Sequence, residues 1–279
     1  MIVVRRWDTG TALLEVPADT LAGGALARSV LLYADLPRAD LRDADLNGAD
    51  LCQANLRGAL FSGASLIGAD ITLSDVSAAD FSGSSLGDAR LQAVNLSNSG
   101  RADTVFRGAD LTRATLKNSN LSGALFADAI LRRADLTRCN LQGADLSGAE
   151  LTGADLSFAD LSGAMLRGAM LVGAMLCGTN LEGVDLREAD LSLASLNGAQ
   201  LGRARLNDAV LSRTAISRCT GLHLASGLRD LRRVEDTSLD LATLRASISE
   251  LADDFVRRAG LHESEIPTLR EMLHPSAAR

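Results

Sequence analysis

The chain has 279 residues, of which 47 % are hydrophobic and only 3 % aromatic, and its net charge is −7. Leu and Ala supply nearly all of the apolar content, so the interior must be narrow, and the acidic balance argues against a general nucleic-acid binder. Met1 to Trp7 lacks the apolar core of an export signal and no stretch is long enough to span a bilayer, which points to a cytoplasmic protein with no membrane role.

Residues 1–18 carry two apolar runs, Ile2-Val3-Val4 and Ala12-Leu13-Leu14-Glu15-Val16, around Asp8-Thr9-Gly10. This predicts a β-hairpin, with Trp7, the only tryptophan, as core filler. Residues 19–33 fit two readings. Asp19 can cap a short helix running through Ala27, while Leu21, Leu26 and Leu31 keep the five-residue phase that follows, without the preceding Ala. We take the helix as the expectation, and 1–33 as an amino-terminal cap.

From Ala34 to Arg218 the chain repeats every five residues: small, polar, Leu, any, any. Ala144-Asp145-Leu146 and Ala154-Asp155-Leu156 are clear copies. The central position recurs from Leu36 to Ile216 without a break, and only Arg101 is not Leu, Ile, Val or Phe. A period of five suits neither a helix, near 3.6, nor a strand, at 2. It requires a chain that turns a corner every five residues, with one large and one small side chain inward: a solenoid whose units bury their apolar side against neighbours. Gly143, Gly148 and Gly153 fall at the corner.

This run resembles the pentapeptide repeat proteins, whose repeat is written A-(D/N)-L-x-x. The resemblance covers about two thirds of the chain. It implies an all-β fold, a right-handed quadrilateral parallel β-helix with four repeats per coil. That gives about nine coils and, at about 4.8 Å per coil, a length of about 45 Å. On an unbroken twenty-residue coil Phe61 stacks on Phe81, and Phe106 on Phe126 one side further on. Arg101 follows Phe81 on the first side. A buried unpaired guanidinium is very unfavourable, so either a bulge at Asn98-Ser99-Gly100 turns it outward or a recognition loop protrudes. With no residues inserted, a long loop is not expected.

Residues 219–279 leave the repeat. Leu241, Leu244, Ile248, Leu251 and Phe255 follow helical spacing after Asp240 as N-cap, with Gly260 as the stop. A small α-helical module is predicted. It could cap the solenoid, dimerise or recruit a partner. The stretch from Thr237 to Leu241 and from Phe255 to Leu261 resembles a segment that links pentapeptide repeats to TIR-like domains in some bacterial proteins, which implies a signalling or defence setting.

No catalytic, cofactor or metal constellation emerges. The solenoid has no His, and His223, His262 and His274 all lie in the tail. Cys52, Cys139, Cys177 and Cys219 are too far apart for a metal motif and read as reduced packing residues, two of them on the small inward position. Function is therefore expected on the outer surface. Met165, Met170 and Met175 replace Asp in three consecutive repeats, a belt around three sides of one coil, with Val172, Leu193 and Val210 nearby. Either this is tolerated variation or tail contact, or it is a partner surface to which Met is suited. Asp145, Glu150, Asp155 and Asp160 mark an acidic segment.

Two functions compete, neither enzymatic. One is an interaction scaffold or adaptor acting through the outer faces and the helical tail on a protein partner, with a homodimer as one outcome. The other follows from the resemblance: some relatives mimic a DNA duplex, bind DNA gyrase and protect it from inhibitors. Duplex DNA of that length carries roughly 26 charges, whereas residues 34–218 have 22 acidic and 17 basic residues, net −5. The scaffold is the reading preferred.

Overall fold

The structure, a computed structural model, describes residues 1–94, 104–235, 237–240, 243, 253–259, 264 and 266–267. Its body is a ladder of short parallel bridges between residues twenty apart, such as Asp145 to Met165 and Met165 to Asp185. Four sides of five residues make each coil. We call the four walls A to D by the outward residues of one coil: Asp160 (A), Met165 (B), Met170 (C) and Met175 (D). Within a repeat the Leu N–H donates to a carbonyl of the next coil, as from Leu161 to Asn180 at 2.8 Å. Three residues on, the Ala164 N–H donates back to the Leu161 carbonyl at 3.0 Å. That bond closes a turn whose third residue has positive φ, 67° at Gly163. This is type II turn geometry, which explains the recurring corner glycines.

The polar residue before each Leu has a local task that the repeat alone did not disclose. Its side-chain oxygen accepts the N–H two residues on, from Ser147 to Asp145 at 3.0 Å, Ser157 to Asp155 at 2.9 Å and Ser162 to Asp160 at 3.0 Å. Asp and Asn are the residues that make this Asx bond, holding the corner without a backbone partner.

Inside, the Leu and Ala positions are almost fully buried along the whole ladder. At most polar small positions the side chain donates to a carbonyl of the preceding coil, whereas Ser84 donates to Phe81 in its own turn at 2.8 Å. Ser74 reaches Leu51 at 2.7 Å, Thr179 reaches Leu156 at 2.8 Å and Thr214 reaches Leu191 at 2.8 Å. Cys139 and Cys219 do the same with Leu116 and Leu196. Burial pushes their thiols up to about 12 and about 11, so they stay protonated and inert, as packing residues should.

One coil is longer than the rest. Asp80, Ser85 and Arg90 pair with Val105, Asp110 and Thr115, twenty-five residues on. Nine residues join Val94 to Thr104 where four suffice elsewhere in the regular ladder. Five residues have therefore been inserted without disturbing the phase of the pattern, which is why the sequence hid them. Two expectations change. Phe106 does not start a second side: it stacks on Phe81 at 5.0 Å, so Phe61, Phe81, Phe106 and Phe126 form one column behind wall B. The premise that nothing is inserted near Arg101 also fails, although Arg101 itself lies outside the described residues. Deleting residues 98–102 leaves Asn95-Leu96-Ser97-Asp103, a regular repeat, between Val94 and Thr104. We expect that variant to fold with stability within about 1 kcal/mol of the parent, measured by urea unfolding; a collapse of cooperativity would show that the extra five residues are structural.

The ladder extends past Ala34 and Arg218. Ala25 and Val30 already pair with Asp45 and Asp50, and Leu21, Leu26 and Leu31 are buried, so no helix forms at 19–33. Gly24 and Ser29 take the small position before Leu26 and Leu31, and only Leu21 is preceded there by a larger residue, Asp19. The predicted hairpin is present: β1 (Ile2–Arg6) pairs antiparallel with β2 (Ala12–Val16) and with β3 (Ala34–Asp35), covering the edge of wall A. Val4, not Trp7, is its core residue. Trp7 is 54 % exposed, edge-on to Tyr33, with its indole N–H donating to the Gln53 carbonyl at 2.8 Å.

At the other end β4 (Ala215–Ile216) pairs in parallel with β5 (Ser238–Leu239). Arg205 pairs with Ser226 and Val210 with Arg233, at separations of 21 and 23, so a last coil exists in a stretch whose sequence has lost the five-residue period. The Thr243 N–H donates to Asp240 Oδ1 at 2.8 Å, the bond expected of a helix N-cap. Beyond it, α1 (Asp253–Arg258) buries Phe255 and Val256 in the same core that runs through the solenoid.

Candidate interaction surface

Met165, Met170 and Met175 stand outward on walls B, C and D, each 43–45 % exposed. They belong to one coil, as the spacing predicted. Their neighbours above and below are polar on walls B and C: Asp145 and Asp185 flank Met165, and Glu150 and Asp190 flank Met170. Val172 is half-buried in the turn from wall C to wall D, and Leu193, 57 % exposed with φ 62°, holds the next corner above it. Met170, Val172, Met175 and Leu193 thus gather along one edge. Met165 lies on a different wall, and Val210 is two coils from Met170 with Asp190 between them.

The sequence reading missed Phe158. It sits at the corner from wall D to wall A, 63 % exposed, with φ 60°. Its ring lies over Gly178, close enough that a Cβ there would come within 2.9 Å of it. The guanidinium of Arg138 stands 5.8 Å from the ring centre. The available signal was a large aromatic at a corner position that mostly takes Gly or a polar residue, although Tyr33, Leu73 and Leu193 also occupy it. It extends the apolar edge across wall D.

Three turns of the Met coil do without the Asx bond, as do the turns after Ser195, Gln200, Arg205 and Val210 further along. With no Asx oxygen, the turn N–H groups of Arg167, Val172 and Cys177 have no side-chain acceptor among the described residues. A net hydrogen bond of this kind is worth about 0.5–1.5 kcal/mol. Three consecutive repeats forgo it in favour of exposed apolar side chains.

The acidic residues form a ring rather than a stripe. Asp160, Asp145, Glu150 and Asp155 occupy walls A, B, C and D. Along wall B, Asp145 lies between Leu125 and Met165. Glu150 pairs with Arg132 at 2.5 Å. Further up, the hydrogen bond from Arg187 holds the Asp185 carboxyl below its usual range. No column carries unbroken negative charge.

Phe255 is fully buried, so the α1 face it marks packs inside this chain and is not free for a partner. Leu241, Leu244, Ile248 and Leu251 lie outside the described residues, as do His262 and His274. His223 is in the short 3-10 turn Leu222–Leu224. Among the described residues no group of His, Cys, Asp or Glu could hold a metal ion, and no helix is long and apolar enough to cross a membrane.

The family model for pentapeptide repeats matches the chain in eight copies, over residues 25–58, 59–98, 104–143, 129–168, 144–183 and 178–213. The model skips 99–103, within the inserted stretch. Among solved structures, a trypsin-treated single-residue variant of QnrB1, a plasmid-mediated fluoroquinolone resistance protein, is 19 % identical, with a TM-score of 0.52 over 70 % of this chain and 91 % of its own. HetL, a pentapeptide repeat protein involved in heterocyst differentiation regulation from Nostoc sp. strain PCC 7120, is 35 % identical over 74 % of this chain and 83 % of its own, with a TM-score of 0.27. No match is found among curated proteins.

Proposed function

Because the chain belongs to the pentapeptide repeat family, structural and interaction proteins built as right-handed four-sided parallel β-helices, we propose that it is a protein-interaction scaffold acting through its outer walls. The observation that carries this is the Met coil. Three walls give up the Asx bond at once and present Met instead, which weakens the corner and exposes apolar surface. Such a trade is reasonable for a binding surface and has no stabilising rationale within the chain.

The test separates stability from binding. The variant M165D/M170D/M175D restores the repeat, and each new carboxylate can accept its turn N–H. We expect thermal stability to hold or to rise by about 1 kcal/mol per site, while partners recovered by affinity purification with the parent are lost. Unchanged recovery would remove the basis of the reading.

The gyrase alternative needs a DNA-like run of negative charge, and the walls argue against it. Each acidic column is interrupted, as by Leu125 and Met165 on wall B. A supercoiling assay with gyrase and a quinolone tests it directly: protection by the parent chain would restore it.

A further inference from the structure

Wall D combines cations that lack an acidic partner with the apolar edge. Its outward residues run Thr115, Asp135, Asp155, Met175 and Ser195 from coil to coil. Lys117, Arg133 and Arg138 are exposed at its two corners and have no acidic partner within ion-pair reach among the described residues. The other cations nearby are tied to neighbouring coils: Arg113 to Asp88 at 2.5 Å, and Arg132 to Glu150 on wall C. The carboxylates on the wall, Asp135 and Asp155, each take a turn N–H, from Thr137 and Ser157, both at 2.9 Å.

One step further along the axis the character changes. The rung of Met175 has glycine at both corners: Gly173 leaves one shoulder open, and the Phe158 ring lies over Gly178 on the other, beside Met175. Phe158 rises at the corner one rung below, and Leu193 at the opposite corner one rung above. This is a shallow apolar seat of three side chains, with cations at one end only.

We propose that wall D docks a segment of another protein in which carboxylates lie beside an apolar anchor. The carboxylates face Lys117, Arg133 and Arg138, and the anchor rests on Phe158, Met175 and Leu193. From Thr115 to Ser195 the wall spans four rungs, about 19 Å, the reach of about six extended residues. A membrane is the poorer occupant. The seat is three side chains wide, Asp135 and Asp155 face the same way, and the chain as a whole is acidic. The inference rests on the scaffold reading and adds the chemistry of the partner.

The experiment selects a displayed library of random dodecapeptides against the immobilised full chain, then measures the enriched peptides by fluorescence anisotropy. We expect Asp or Glu beside an aromatic or aliphatic residue. Affinity should fall roughly tenfold or more in R133E/R138E, and similarly in Met175→Asp, but should be unchanged in Met165→Asp, which lies on wall B. Enriched peptides without carboxylates, or insensitivity to both wall D variants, would overturn the proposal. So would a selection that enriches nothing, sedimentation with phosphatidylserine vesicles, or a dimer in light scattering that Met175→Asp dissolves. If Met175→Asp abolishes binding and R133E/R138E does not, the charge assignment fails while the scaffold reading stands.

Discussion

Replacing Phe106 by alanine is expected to destabilise the protein by about 3–5 kcal/mol. Phe106 is fully buried and stacked on both faces, against Phe81 at 5.0 Å and Phe126 at 4.7 Å, with ring planes within 3°. A solenoid interior offers little relief from such a cavity. Each coil contributes one large side chain per wall, and the Phe rings are held by hydrogen-bonded backbone on both sides, so no neighbour can swing in. Phe106 is also the first ring above the long coil, so its stack with Phe81 helps to carry the core past the insertion. The cost should therefore exceed that of Leu111→Ala on the next wall, where the buried side chain is aliphatic and lies outside the ring column. Urea unfolding of both variants decides this. Because a repeat protein can unfold in parts, hydrogen exchange should show the coils on either side of Val94 and Thr104 opening first in the Phe106 variant. Equal losses at Phe106 and Leu111 would mean that the column adds nothing beyond ordinary burial.

The same residues show what the sequence could and could not disclose. A Leu every five positions sufficed for the coil, the inward Ala and the glycine corners, because all three follow from a chain that turns after each short strand. The Met belt was legible because Met broke a polar rule in three successive repeats. Phe158 was not, because the corner position tolerates many residue types and only the fold reveals that its ring lies over Gly178. The five inserted residues were invisible for a physical reason: an insertion of one whole repeat keeps every Leu in phase and betrays itself only in which coils touch. At both ends the pattern faded before the ladder did. In the first coil Gly24 and Ser29 stand where later repeats have Ala, so Leu26 and Leu31 kept the phase without the Ala-Asp signature. In the last coil one- and two-residue insertions destroyed the period while the carbonyls of Ser226 and Arg233 still accepted from Leu206 and Leu211.

That last coil makes a strong prediction at Gly227. Its φ is +80°, and a Cβ there would fall 2.3 Å from the Asn207 backbone nitrogen and 2.7 Å from its Cα. The neighbour cannot yield. Leu206 donates to the Ser226 carbonyl and Asp208 to that of Asp230, both at 2.9 Å, which pins the two segments together on either side of the contact. Left-handed backbone alone costs an alanine about 1–2 kcal/mol; with the clash, Gly227→Ala should lose about 3 kcal/mol or more. Gly173→Ala is the control, since its φ is +66° but a Cβ there meets nothing within 4 Å. It should show the backbone term alone. In the Gly227 variant the amides of Leu206 and Leu211 should lose exchange protection first, because their acceptors leave with the last coil. If the two alanine variants were equally stable, residues 219–240 would be a loose tail, and the amino-terminal end of α1 would have no coil on which to close the core.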